Sequence, residues 1–415
     1  MFIYTTVSGD TLTELSRRFG VPISVLASSN GLREPYSLTV GQALLVRDGL
    51  EYYTVRQGDS VYTVAAQFGL TPRELWQMNP SLAGGSELYP GQTIVVSKPP
   101  NAGNLIKTGY AYPIINRSIL NSTLPYLDFL AIFSYGFRSD GSLVVPDDRE
   151  LLDAAAAYGT KSMLVLTSLG DDGKFSSEAV SNILSSTAAR NRLIANVAQT
   201  ADLKGYAAVN SDLEYIPAEY RDAYSSFISE LAAALHERDI ELTVSLAPKT
   251  SDTQRGLLYE GMDYAALGAA ADRVLLMTYE WGYTYSEPRA VAPINLVTQV
   301  VDYALTRIPG EKIDLGIPNY GYDWQIPWVE GTRARSLGNI EAQDIAIERG
   351  APIVYDETAQ TPSFRYTSGE GVSHEVWFED ARSIEAKLTL ASERGLGGIG
   401  VWQIMRWFPQ LWLLS

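Results

Sequence analysis

The sequence predicts a (β/α)8 barrel of the α/β class with a small inserted subdomain, preceded by two small α+β modules of β-α-α-β order. Three observations lead there. A pattern containing Gly9-Asp10-Thr11 returns as Gly58-Asp59-Ser60, 49 positions on, and self-similarity at this spacing marks tandem modules. Ser97-Lys98-Pro99-Pro100-Asn101-Ala102-Gly103-Asn104 then punctuates the chain, because Pro, Gly and Asn interrupt regular structure. Beyond it, apolar strand-like runs alternate with helical stretches. Near-continuous apolar strands joined by helices indicate a parallel sheet buried on both faces.

The first module is expected over residues 1–49 and the second over 50–97. Tyr4 to Leu12 recurs as Tyr53 to Val61, Phe19-Gly20 as Phe68-Gly69, and Asn30 as Asn79. Gly41-Gln42 recurs as Gly91-Gln92 with one extra residue. Strands are expected over 4–7 and 43–46, with Thr11 and Ser60 as helix N-caps. Gly-Asp-Thr is turn and cap chemistry in its own right, and the same loop is free to touch a ligand as well. Residues 98–104 form the linker, semi-rigid through its prolines. The barrel over 105–415 then has a core of its own, so loss of residues 1–97 is expected to spare activity on soluble fragments.

Eight barrel strands are expected over 109–112, 127–135, 162–166, 206–213, 241–247, 273–279, 312–317 and 398–403. Eight such units fit a closed barrel, whose active site lies at the C-terminal ends of the strands. About 50 residues, 325–377, form the inserted subdomain and one wall of the cleft.

The fourth strand carries the most informative stretch. Asn210, Asp212 and Glu214 stand at alternate positions, so their side chains share a face. Glu214 sits where the strand opens into a loop, with a helix expected over 217–238. Charged groups buried together are costly unless they have a job. A carboxylate beside a carboxylic acid is equipped to protonate a leaving oxygen near neutral pH.

This segment resembles the fourth-strand signature of family 18 glycoside hydrolases, D-G-x-D-x-D-x-E. Asp212 and Glu214 match its last two acids; Asn210 and Ala207-Ala208 depart from it. Thr167-Ser168-Leu169-Gly170 partly matches the family's Ser-x-Gly-Gly element, and Met277-Thr278-Tyr279 its Met-x-Tyr element. Tyr320-Gly321-Tyr322-Asp323-Trp324 follows the seventh strand, and Trp402-Gln403 ends the eighth. The resemblance implies a substrate-assisted mechanism in which the substrate's acetamido oxygen is the nucleophile, an exception to the two-carboxylate rule. It makes Glu214 general acid and then base, has Asp212 orient the acetamido group, and has Tyr279 bind its carbonyl. Asn210 would donate to Asp212 without adding charge and so keep it ionised. Trp402, Met277, Trp281, Tyr320, Tyr112 and Gln403 are the implied sugar contacts.

Both repeats resemble LysM modules from end to end. That resemblance implies a shallow groove for N-acetylglucosamine glycans, peptidoglycan or chitin. Its residues would be Gly9, Asp10, Thr11, Leu12, Asn30, Gly31 and Leu32, and in the second module Gly58, Asp59, Ser60, Val61, Met78, Asn79 and Pro80. Two such modules before this barrel resemble the spore cortex-lytic N-acetylglucosaminidases of spore-forming bacteria. The expected activity is then cleavage of cortex peptidoglycan after N-acetylglucosamine during germination, in the spore. A chitooligosaccharide hydrolase is the alternative enzyme. A glycan-binding barrel without activity, against which the intact Asp212-x-Glu214 pair argues, and a structural coat protein that keeps the barrel as scaffold are the alternatives of other classes.

Composition excludes much else. The chain has no Cys and two His, His236 and His374, which leaves no thiolate or His-rich metal site and no Ser-His-Asp triad. No cofactor or metal is expected. Net charge is −16, which disfavours nucleic acid or an anionic membrane as partner but not a neutral polysaccharide. The first 97 residues hold six Arg against eight Asp or Glu, so nearly all of that charge belongs to the barrel. Met1-Phe2-Ile3-Tyr4-Thr5 lacks a basic start and a long apolar run, so delivery without a cleaved signal is expected.

Overall fold

A computed structural model describes residues 1–99, 105–169 and 176–415. Residues 100–104 of the expected linker, and Gly170 of the third-strand motif, lie outside the described residues. Each module pairs two antiparallel strands over two helices. The first joins Phe2–Thr5 to Ala43–Val46, around helices Leu12–Phe19 and Ile23–Ser29. The second joins Tyr52–Thr54 to Thr93–Val95, around Val61–Gln67 and Pro72–Met78. Thr11 and Ser60 cap the first helices by accepting from Glu14 N and Thr63 N.

The eight barrel strands are Ile106–Ala111, Phe129–Phe137, Lys161–Thr167, Ala208–Asp212, Glu241–Leu246, Arg273–Leu276, Ile313–Pro318 and Gly398–Trp402. They are parallel in chain order, and the first pairs with both the second and the eighth, which closes the barrel. Side chains alternate between a helix-facing core and an interior plug. Val209 joins the large outer cluster, while Ala208 packs with Tyr110, Phe133, Met163, Val165 and Leu275 inside. Asn210 and Asp212 continue the Ala208 row, so they climb the inside of the barrel to its mouth.

Three boundaries differ from expectation. The sixth strand ends at Leu276, because beyond Met277 the chain turns back on itself, Thr278 N donating to Leu276 O at 2.8 Å. The helix after the fourth strand opens as a 3-10 turn, Ala218–Tyr220, before Arg221–His236. The insertion's sheet starts with Gly321–Ile326, so the aromatic run after the seventh strand is already its first strand. That five-stranded sheet also holds His374, on strand Ser373–Trp377 and paired with Asp323 at 2.8 Å.

The modules do not hang free. In the first, Gln42 Nε2 donates to Gln343 Oε1 (3.0 Å), and Gln410 Nε2 donates to Asn30 Oδ1 (2.8 Å) and Ala43 O (2.9 Å), all four side chains being buried. Gly41 lies so close that a Cβ there would stand 1.9 Å from Ile353 O. In the second, Arg73 donates to Pro125 O (2.8 Å) and Leu127 O (2.6 Å), and Tyr158 Oη donates to Gly84 O (2.7 Å). Buried polar and apolar groups of the barrel are thus completed by the modules.

Candidate active site

The site is built where the fourth strand ends. Thr167 pairs with Asp212 and Thr243 with Asn210 across the neighbouring strands. That register decides the partners of Asn210: Nδ2 donates to Thr243 Oγ1 at 2.8 Å and Oδ1 accepts from Ser245 Oγ at 3.1 Å. The expected donation from Asn210 to Asp212 is thus replaced, the amide being spent on the fifth strand. Asp212 is left with a buried Oδ1 that has no hydrogen-bond partner. Burial raises its pKa to about 6, with Ser245 pulling the other way. So Asn210 does not hold Asp212 in the ordinary carboxylate range.

Glu214, one alternate position beyond the strand end, is half-buried. Burial first, and then the charges of Asp212 and Glu280, push it up to about 8. Near neutral pH the pair therefore holds one proton between its two carboxyls, with Glu214 the more strongly raised of the two. Tyr279 faces both acids, and burial first and Asp212 next raise its pKa well above the phenol range, so it remains an O–H donor. The residues following two of the acids' strands are in left-handed backbone: Tyr215 at φ 56° and Glu280 at φ 67°. Such non-Gly conformations cluster where the surroundings hold a functional group in place.

Trp402 packs at the end of the eighth strand, edge-on to Phe133 (4.9 Å) and Tyr112 (6.0 Å) and tilted against Tyr110 (6.0 Å). Met277 and Trp281 are half-buried at the sixth-strand end. Tyr320 packs with Tyr279 and Trp402. It is buried, and its hydroxyl donates to Glu280, as does that of Tyr322 at 3.2 Å. Gln403 spends its Oε1 on Met405 N (3.0 Å) within its own loop. Glu280 is the residue that sequence reasoning missed. It is open to the cleft, yet enough protein surrounds it that burial raises its pKa. Its place directly after Tyr279 was the available signal.

In the modules the repeated residues split. Gly9, Thr11 and Gly58 are exposed and Asp10, Asp59, Ser60, Gly31 and Leu32 partly so. Leu12, Asn30, Val61, Met78, Asn79 and Pro80 are buried. Asn30 shows why: its amide donates to Leu26 O (2.8 Å) and Leu45 O (3.0 Å), and its Oδ1 accepts from Leu45 N (2.6 Å). Asn79 repeats the staple with Leu75 and Val95.

Among the described residues no His, Cys, Asp and Glu group is arranged to hold a metal ion, and no helix is long and apolar enough to cross a membrane. Residues 112–406 match the glycosyl hydrolases family 18, and residues 4–47 and 53–97 each match the LysM domain. The chain is 37% identical to the cortical fragment-lytic enzyme of Bacillus subtilis (strain 168), over 88% of this chain and 97% of that protein. It is 36% identical to that of Bacillus anthracis, over 99% and 97%. The crystal structure of the Bacillus cereus spore cortex-lytic enzyme SleL superposes with a TM-score of 0.84 at 36% identity, covering 100% of this chain and 96% of that one. Barrel, insertion, acid pair and paired N-terminal modules thus agree with sequence kinship, and the chain belongs to the family 18 glycosyl hydrolases and carries two LysM domains.

Proposed function

We propose that this glycosidase is a retaining, substrate-assisted β-N-acetylglucosaminidase that cleaves spore-cortex peptidoglycan after N-acetylglucosamine, in the spore during germination. One observation carries the reading: Asp212, buried and with an Oδ1 that lacks a protein partner, stands one alternate position from Glu214 at the mouth of the barrel. Glu214 gives its proton to the glycosidic oxygen as the C1–O bond breaks, while the substrate's acetamido oxygen closes onto C1. Asp212 accepts from the acetamido N–H and balances the positive ring that forms. Tyr279 donates to the acetamido oxygen. Glu214, now a carboxylate, takes a proton from water as that water attacks C1 and reopens the ring.

Two inversions at C1 return the β-anomer. A muramic lactam, its nitrogen locked in a ring, cannot supply this nucleophile, so the new reducing end is N-acetylglucosamine. The names of the Bacillus relatives support the substrate. The module surfaces around Gly9, Thr11 and Gly58 support tethering to insoluble glycan, two weak sites raising local concentration. The test is product analysis of cortex fragments by mass spectrometry and early-time NMR. The reading requires β-N-acetylglucosamine at the new reducing end; an α-anomer first, or a reducing-end muramic lactam, overturns it. Faster turnover of chitin oligosaccharides would reassign the substrate.

A further inference from the structure

A second cavity, of about 610 Å3, opens where both modules, the barrel rim and the insertion meet. This size lies within the range of small-ligand sites. Gly31 and Arg33 of the first module and Pro80 and Ala83 of the second line one side. Trp407, which follows the eighth strand, lines the other with Ile119.

The cavity is tied to the catalytic floor through one short segment. Asn319 N donates to Trp402 O (2.9 Å), and Asn319 Nδ2 donates to Gln403 O (3.1 Å) and Arg406 O (2.8 Å). The chain from the sugar-platform Trp402 to Arg406 and Trp407 is therefore pinned as one piece of the barrel mouth. Trp407 is half-exposed, a flat face of the kind that packs on an apolar ring face. Around it the charges balance: Arg33 and Arg406 against Glu341 and Asp344, where burial raises the Asp344 carboxyl's pKa and the nearby Arg33 works against that rise. A lining with a flat aromatic face, donors and acceptors of both signs and no net charge suits a neutral polyhydroxylated chain.

We propose that this junction is a composite subsite for the stretch of an N-acetylated amino-sugar chain that runs outward over Trp402, with the modules and the barrel each supplying one wall. The proposal rests on the active-site reading above, because it takes Trp402 as the platform of the cleaved sugar. It gives the modules a role that separate tethers do not have: they extend the cleft.

The test is calorimetric titration of the full chain, in a Glu214→Gln background that prevents turnover, with N-acetylglucosamine disaccharide and hexasaccharide. Trp407→Ala and Arg33→Ala are each expected to weaken hexasaccharide binding about threefold to tenfold and leave disaccharide binding unchanged. Arg33 is exposed, so its variant reports even where loss of Trp407 disturbs folding. Equal losses on both ligands, or none on the hexasaccharide from Arg33→Ala, overturn the subsite. Normal hydrolysis by the Glu214→Gln parent would instead overturn the active-site reading and leave this binding result intact.

Discussion

Asp59 closes the turn of the second module, accepting from Arg56 N and Tyr53 Oη, each at 2.7 Å, and those donors hold its carboxyl below the usual carboxylate range. Asp212 ends the fourth barrel strand with one oxygen unpartnered, and burial drives its pKa the opposite way. Both acids belong to short recurring patterns in the sequence. In the modules, Asp10, Asp59, Asn30 and Asn79 spend their polar atoms on neighbouring backbone and side chains, so the pattern describes a fold. In the barrel, Asp212 keeps a buried Oδ1 without a protein partner. A motif whose groups all find partners explains stability, and one that leaves them waiting points to chemistry.

The contrast can be broken in order of effect. Asp212→Asn is expected to lower kcat/KM by roughly 10²–10³-fold, the scale of losing one transition-state electrostatic partner. Its thermal midpoint should hold or rise, since an unpaired buried carboxylate is costly. A clear fall in the midpoint would move Asp212 into the structural class of Asp59. Removing residues 1–97 strips cover from Ile340, Ile353 and Pro409 and unpairs Gln343 and Gln410. The midpoint of the truncated chain should drop by about 5 °C or more. An unchanged midpoint would restore the barrel as an independent unit.

Glu280→Gln removes a like charge beside Glu214, which then gives up its proton more readily. The alkaline limb of the kcat/KM profile, expected near pH 8 for the native chain, should move to lower pH by roughly half a unit to one unit. A limb that stays put means that Glu280 does not act on the acid. Asp59→Ala is the smallest change, expected to cost about 2 °C in midpoint with kcat unaltered. Lost catalysis there would show that the module turn reaches the active site.

Much of this was legible in the sequence for physical reasons. Alternation alone aligned Asn210, Asp212 and Glu214, because a strand has a period of two. The repeat around Gly9 and Gly58 announced the modules because the same turn needs the same residues. What stayed hidden depends on contacts distant in sequence. Thr243 and Ser245 claim Asn210 only once the register of the fifth strand is fixed. Tyr320 turns to Glu280 because the insertion's first strand begins immediately after it. Asn30 and Gln42 meet Gln410 and Gln343 across about 300 or more residues of chain, which no local pattern encodes.

Glu214 is where the account is most exposed. Turnover of N-acetylglucosamine glycan by purified Glu214→Gln, beside its affinity for the same glycan, measures the claim directly. The substitution is close to isosteric, so binding and folding should persist while hydrolysis falls by roughly 10²–10⁴-fold, the range for a lost general acid. Near-native turnover, or a loss of binding as large as the loss of rate, would contradict the assignment of Glu214 as the proton donor.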